Sequence, residues 1–143
     1  QEGFDQLIWT DARDHSFIEE SGTMNVMFMI RGTLITPAVS DTILDGITRK
    51  SIVAIARHWG ISVEERRVSV KEVIEALESG QLEAAFGAGT AVVVSPFALI
   101  AYRGQRYELP PVSEGSFVEK VKNYLSDLRT GVIADEFGWI VKV

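Results

Sequence analysis

The chain has no cysteine, two histidines and four prolines in 143 residues, and each scarcity closes off a class of function. Without a thiol there is no disulfide framework, no thiolate nucleophile and no cysteine-held metal, which fits a reducing, cytoplasmic setting. His15 and His58 lack a third ligand at metal-site spacing, so no metal centre is expected. Ser21 and Ser95 have no His/Asp arrangement near them that would argue for acyl chemistry. Basic residues are few: 14 Lys and Arg stand against 20 Asp and Glu, a net charge of −6. Arg66-Arg67 is the densest basic cluster, and a pair is not the basic face that a nucleic-acid partner needs. No apolar run has the length of a membrane span, and no basic segment leads into an apolar stretch as in a secretory leader. Neither nucleic acid nor membrane is an expected partner.

What is present suits a packed core. A 46% hydrophobic and 24% charged composition is globular, and the length fits one domain, residues 1–143. The chain opens on Gln1-Glu2-Gly3 instead of Met, which reads as the tail of a helix closed by glycine. A larger parent protein is therefore expected.

Hydrophobic periodicity and turn residues give a mixed α/β order. Asp5 to Thr10 is β-rich, Asp11 to His15 is a polar turn, and Ser16 to Ile30 is extended with an interruption at Gly22. Gly32 turns the chain into Thr33 to Thr36, which Pro37 ends. Three helices are predicted: Thr48–Trp59 with Ile52, Ile55, Ala56 and Trp59 on one face; a second from the Ser69/Glu72 capping box to Gly80, burying Val70, Val73, Ile74 and Leu77; and a third over Ser116–Arg129, stopped by Gly131. Its apolar face comprises Phe117, Val121, Tyr124, Leu125 and Leu128. Val63–Val68, Leu82–Phe86, Ala91–Tyr102 and Arg106–Leu109 are β-like, with a hairpin turn at Gly104-Gln105. The nearly unbroken apolar run from Ala91 to Ala101 implies one strand buried on both faces.

Three short segments carry chemistry. In Leu44-Asp45-Gly46-Ile47-Thr48-Arg49 a glycine permits a tight turn and Thr48 opens a helix, where free N–H groups and the dipole favour a phosphate. A plain loop and cap explain that segment equally. Phe86-Gly87-Ala88-Gly89-Thr90-Ala91 is a second small-residue turn after a strand, suited to a ligand or to a simple β-turn. It lacks both the nucleotide P-loop and the dinucleotide glycine patterns. Glu20-Ser21-Gly22-Thr23-Met24-Asn25 offers a carboxylate, and Glu19 and Glu20, adjacent in an extended run, are expected on opposite faces.

In order and spacing, these segments resemble the successive signatures of branched-chain-amino-acid aminotransferases. Gln6-Leu7-Ile8-Trp9 and the closing Phe137 to Val143 resemble that family's neighbouring strand and C-terminus. The resemblance implies the C-terminal domain of the D-amino-acid-aminotransferase-like fold (fold type IV), a mixed sheet or pseudo-barrel flanked by helices. It implies pyridoxal 5'-phosphate as cofactor: Glu20 pairs with the pyridine nitrogen, Thr23 joins the ring-side hydrogen bonds and Leu44 packs under the ring. Gly46, Ile47, Thr48, Gly89 and Thr90 form the phosphate cup, and the Thr90 and Ala91 amides receive the substrate carboxylate. It further implies transamination of leucine, isoleucine or valine with 2-oxoglutarate, and a homodimer.

Two departures matter. Asp45 stands where the family usually has proline, and is expected to point to solvent. The family's Schiff-base lysine lies upstream of Asp5–Thr10, and Lys50, Lys71, Lys120, Lys122 and Lys142 do not match its motif. That lysine and the N-terminal domain are thus expected outside this chain, which alone would be inactive. The rival readings are another type IV enzyme, a D-amino-acid transaminase or aminodeoxychorismate lyase, and a non-catalytic domain for a phosphorylated metabolite.

Overall fold

The computed structural model describes residues 6–90 and 93–139. They fall into two compact units, Gln1–Pro111 and Val112–Val143.

The first unit is built around β3 (Met24–Ile30), whose alternating side chains are buried on both faces from Asn25 to Met29. β7 (Leu82–Ala88) runs antiparallel along one edge of β3. The other edge is shared: β2 (Phe17–Ser21) takes Met24 and Asn25, and β4 (Thr33–Thr36) takes Phe28 to Ile30. The sheet therefore forks. β1 (Ile8–Thr10) and β6 (Val68–Ser69) extend the β2 branch, and β8 (Val94–Pro96) follows β7. Among the described residues the one parallel pair is β4 with β5 (Ser62–Glu65), which needs a crossover, and α1 (Ile47–His58) supplies it.

Local chemistry fixes the connections. Arg31-Gly32 between β3 and β4 has φ of 49° and 75° at its two residues, the positive pair that a two-residue type I′ hairpin demands. Arg103-Gly104 repeats this, with 49° and 77°, between β9 (Leu99–Tyr102) and β10 (Gln105–Glu108). The turn thus falls one residue before the predicted Gly104-Gln105, because both central residues must take positive φ. In the predicted polar turn, the Asp11 carboxylate accepts from the N–H groups of Phe17, Asp14 and Ser16, each at 2.8 Å, and these bonds hold its pKa at about 2.

Helix α2 (Val70–Glu78) packs on the face of β3 that carries Val26 and Phe28, in a core with Ile18, Ile35, Val68, Leu82 and Ala85. It buries Val73 and Ala76, with Val70 and Leu77 at the margin; Ile74, expected inside, is only half-buried. The predicted strand Val63–Val68 divides into β5 and β6 at Arg66, whose guanidinium bonds Glu64 and Glu72.

The expected single strand from Ala91 to Ala101 is not formed. β8 ends at Pro96, Phe97 N–H makes a last bond to the Ala85 carbonyl of β7 at 2.8 Å, and the Ala98 carbonyl already accepts from Leu109 N–H at 2.9 Å. β9 then pairs with β10 in a separate two-stranded sheet where Ala101 is exposed. The chain changes partner from β7 to β10 at this point, and apolar content alone does not reveal that change.

The second unit holds α3 (Phe117–Thr130), opened by Ser116, whose Oγ accepts from Glu119 N at 3.3 Å, and closed by Gly131 with φ of 74°. Its buried side chains are Val118, Val121, Leu125 and Leu128, so the stripe is rotated slightly from the predicted one; Phe117 and Tyr124 are half-buried. Phe137 meets Tyr124 edge-on and stacks on Trp139 at 4.2 Å. Among the described residues no helix is long and apolar enough to cross a membrane.

Candidate functional site

A two-residue turn, Gly22-Thr23, joins β2 to β3, so residues flanking it symmetrically face one another. Glu20 lies directly opposite Asn25, and the row continues to Trp9 on β1, Ala88 on β7 and Val94 on β8. Directly opposed residues share a face of the sheet. From this row Glu20 and Asn25 grip one peptide segment. Leu44 N–H donates to Glu20 Oε1 at 2.8 Å, and Asn25 Nδ2 donates to the Leu44 carbonyl at 2.7 Å. Gly46 N–H reaches the same carbonyl at 3.0 Å. A Cβ at position 46 would overlap Asn25 Oδ1, so only glycine fits over that side chain.

Helix α1 begins from this clamped loop. Its N-cap is Gly46, which has no side chain to cap the helix, and its first turn contains no acidic residue. The amides at Ile47 and Thr48 therefore sit at a helix start that no side chain caps, at the positive end of the dipole. Thr48 Oγ1 donates to the Gly89 carbonyl at 3.1 Å, tying the helix start to the end of β7. Leu44 and Ile47, on either side of Gly46, are 72% and 83% exposed.

A charge network lies behind the loop. Arg49 is buried; it bonds the Pro37 carbonyl at 3.0 Å and pairs with Glu65 at 3.0 Å. Burial pushes the Glu65 carboxyl up, but hydrogen bonds from Arg57 and Arg49 outweigh this and hold it below the usual carboxylate range. Asp45 is exposed, as expected, and there it is tied to Lys50 at 2.9 Å and approached by Arg49 at 3.8 Å. Both cations lie in the first turn of α1, within reach of its side chain.

Glu19 also departs from expectation. Trp9 opposes Glu20 but Thr10 opposes Ile18, so Glu19 is the extra residue of a β-bulge. The bulge breaks the alternation, and Glu19 Oε1 accepts from Thr42 Oγ1 at 2.9 Å, in the same loop that Glu20 holds.

Of the residues singled out in the sequence, Glu20, Leu44, Gly46, Ile47, Thr48 and Gly89 come together. Thr23 lies at the exposed turn before β3, and Thr90 is exposed immediately after Gly89. Ala91 lies outside the described residues. Added Cβ atoms at Gly87 and Gly89 would meet Met24 Cε at 2.7 Å and Cγ at 2.8 Å, so Met24 also crowds these two positions. Asn25 and Arg49 escaped the sequence reading. The five-residue spacing from Glu20 across a two-residue turn could have revealed Asn25; nothing local marks Arg49 as buried.

A groove of about 580 Å³ lies elsewhere, lined by Ile30, Arg31, Glu64, Arg66 and Glu72 among others. Its arginine Arg66 is already bonded to Glu64 and Glu72, so the groove offers no free cation from that residue.

A carboxylate, an exposed aliphatic side chain and an uncapped helix start with a hydroxyl thus lie together in a mixed α/β domain. The chain matches the family described as amino-transferase class IV over residues 1–100, and it belongs to that family. It is 39% identical over its full length to branched-chain-amino-acid aminotransferase 2 of Bacillus subtilis (strain 168). It is also 39% identical, over 99% of its length, to a probable branched-chain-amino-acid aminotransferase of Staphylococcus aureus (strain N315). It spans only 39% of the length of each. Among solved structures it resembles the branched-chain aminotransferase of Escherichia coli, with a TM-score of 0.79 and 26% identity over 98% of this chain and 42% of that one. The PLP-form (holo-form) enzyme of Thermobaculum terrenum gives 0.72 and 26%, over 90% of this chain and 38% of that one.

Proposed function

We propose that this chain is the C-terminal, cofactor-binding domain of a longer two-domain, pyridoxal-phosphate-dependent aminotransferase acting on leucine, isoleucine and valine with 2-oxoglutarate. The observation that carries the reading is the Leu44 peptide bonded to Glu20 at the uncapped start of α1, in a chain whose relatives bear that name.

The donor set suits the cofactor. A pyridinium calls for an anion, and Glu20 supplies one; a flat ring calls for an apolar surface, and Leu44 is exposed. A phosphate dianion calls for N–H groups and hydroxyls, available at Ile47, Thr48 and Thr90. When bound, the cofactor supplies an electron sink for the substrate's α-carbon. Glu20 keeps a proton on the ring nitrogen. Thr48 has a single hydroxyl proton, now given to Gly89, so binding a phosphate through that hydroxyl requires it to turn away from the carbonyl. Thr23 contributes from the turn to the ring-side hydrogen bonds, and the amides of Thr90 and Ala91 receive the substrate carboxylate.

The lysine that holds the cofactor and moves the proton comes from outside these 143 residues, with an N-terminal domain that closes the pocket. The enzyme is a cytoplasmic homodimer. The test is turnover: the longer protein is expected to transaminate all three branched-chain amino acids with 2-oxoglutarate, and the 143-residue chain none. A longer protein inactive on all three, but active on D-alanine or aminodeoxychorismate, would overturn the substrate assignment.

A further inference from the structure

We infer that Asn25 is a positioning residue of this site, fixing the spacing between the Glu20 carboxylate and the first-turn amides of α1. The inference rests on the cofactor reading above and extends it to a residue with no ligand contact of its own.

A ligand held at two ends binds tightly only if the two sets of groups keep a fixed separation, because misplacement by a fraction of an ångström weakens both. Here the two ends belong to different elements. Glu20 belongs to the sheet; the amides belong to a helix that follows a loop. Leu44 is the junction, with only Asp45 and Gly46 between it and the first helical residue. Glu20 and Asn25, cross-strand partners, hold the two polar groups of that one residue, N–H and C=O.

Asn25 is built for this task. It is 6% exposed, and β3 is paired at this point on both sides, to Glu20 and to Ala88. Its Nδ2 makes a 2.7 Å bond, and its Oδ1 occupies the volume that a side chain at position 46 would fill. The carbonyl it holds also accepts Gly46 N–H, so one anchor sets both Leu44 and the turn into α1. Without Asn25 the Leu44 carbonyl would keep only the Gly46 N–H, and no bond from the sheet would fix that side of the peptide.

The test uses pyridoxamine 5'-phosphate, which cannot form imines with surface lysines. It is titrated into the wild-type chain, Asn25→Asp and Asn25→Ala, with amide hydrogen exchange measured on the free proteins. Asn25→Asp keeps the volume but turns a donor into an acceptor facing the Leu44 carbonyl; Asn25→Ala removes the donor should the aspartate variant fail to fold. The expected result is affinity lowered about tenfold or more, the equivalent of one well-placed hydrogen bond. Exchange at Leu44 and Gly46 should rise by a similar factor while the first turn of α2 keeps its protection. A merely structural role would raise exchange across β3 and α2 alike, and that pattern would overturn the inference. So would affinity within about twofold of wild type, the ordinary scatter of a neutral change. If neither the wild-type chain nor the longer protein binds pyridoxamine phosphate, the cofactor reading fails. Exchange at Leu44 and Gly46 then decides the clamp by itself, and unchanged rates would sink it.

Discussion

Helices α1 and α2 start in the same structural unit with opposite provisions. At α2, Ser69 Oγ accepts from Glu72 N at 3.0 Å and Glu72 Oε1 accepts from Ser69 N at 2.9 Å. Arg66 then seals that carboxylate with two bonds of 2.8 and 2.9 Å. At α1 the cap is a glycine, the first turn has no acid, and the neighbours Leu44 and Ile47 open to solvent. Both helices carry the same partial positive charge at this end. One satisfies its amides with its own side chains and is structural. The other is steered by Glu20 and Asn25 and kept open, which is what an anion-binding end requires.

That contrast can be broken most severely at Gly46. In Gly46→Ala the new Cβ overlaps Asn25 Oδ1 and the loop must lift; pyridoxamine phosphate affinity should fall by about 100-fold, the cost of a misplacement near 1 Å. Ser69→Ala is the mirror experiment. It should cost about 1 kcal/mol in urea unfolding, the usual loss for a helix cap, and leave affinity unchanged. Thr48→Val, read by titration, should weaken phosphate-bearing ligands about threefold, since the amides remain and only one hydroxyl is lost.

A pH series sharpens the difference between the two ends. The Arg66 hydrogen bonds, with help from Ser69 N–H, hold Glu72 below its ordinary value of 4.5 against the opposing effect of burial. Its folded pKa is depressed, so its stabilisation is complete above the unfolded pKa and lost as pH falls through the lower folded value. Exchange protection in the first turn of α2 should decline below about pH 4 as the unfolded carboxyl's range is entered. Acid also releases Arg49, in the first turn of α1, from Glu65, so the two ends are told apart by the Ser69 amide, which loses its Glu72 acceptor and has no capped counterpart at α1. The smallest effect is expected from Asp45→Asn. This partly exposed ion pair is worth well under ~1 kcal/mol, and removing a negative charge beside the loop should tighten anion binding about twofold at low salt.

Much of this architecture is local chemistry and so was legible. The Ser69/Glu72 box, Gly131 after α3, and Gly32 before β4 announce themselves within a few residues, and the strands and helices lie close to where periodicity puts them. What was not legible depends on distant partners. The Glu19 bulge arises from the register between β1 and β2, which no property of residues 19 and 20 reveals. The break at Phe97 and Ala98 arises because β9 finds β10 as its partner while β8 stays with β7. Glu20 and Thr48 were singled out by residue type and spacing. Asn25 was passed over because its bond is visible only once Leu44 lies above it, and the crowding of Gly87 and Gly89 by Met24 is likewise a contact no local pattern announces.

The most direct measurement is a backbone amide NMR titration of the chain with pyridoxamine 5'-phosphate. Saturable one-to-one shifts at Leu44, Ile47 and Thr48, with the amides of Val70, Lys71 and Glu72 unmoved, are the predicted result. Equal shifts at both helix starts, or shifts confined to the groove around Arg66, would contradict the claim that α1 is the end kept open for a cofactor.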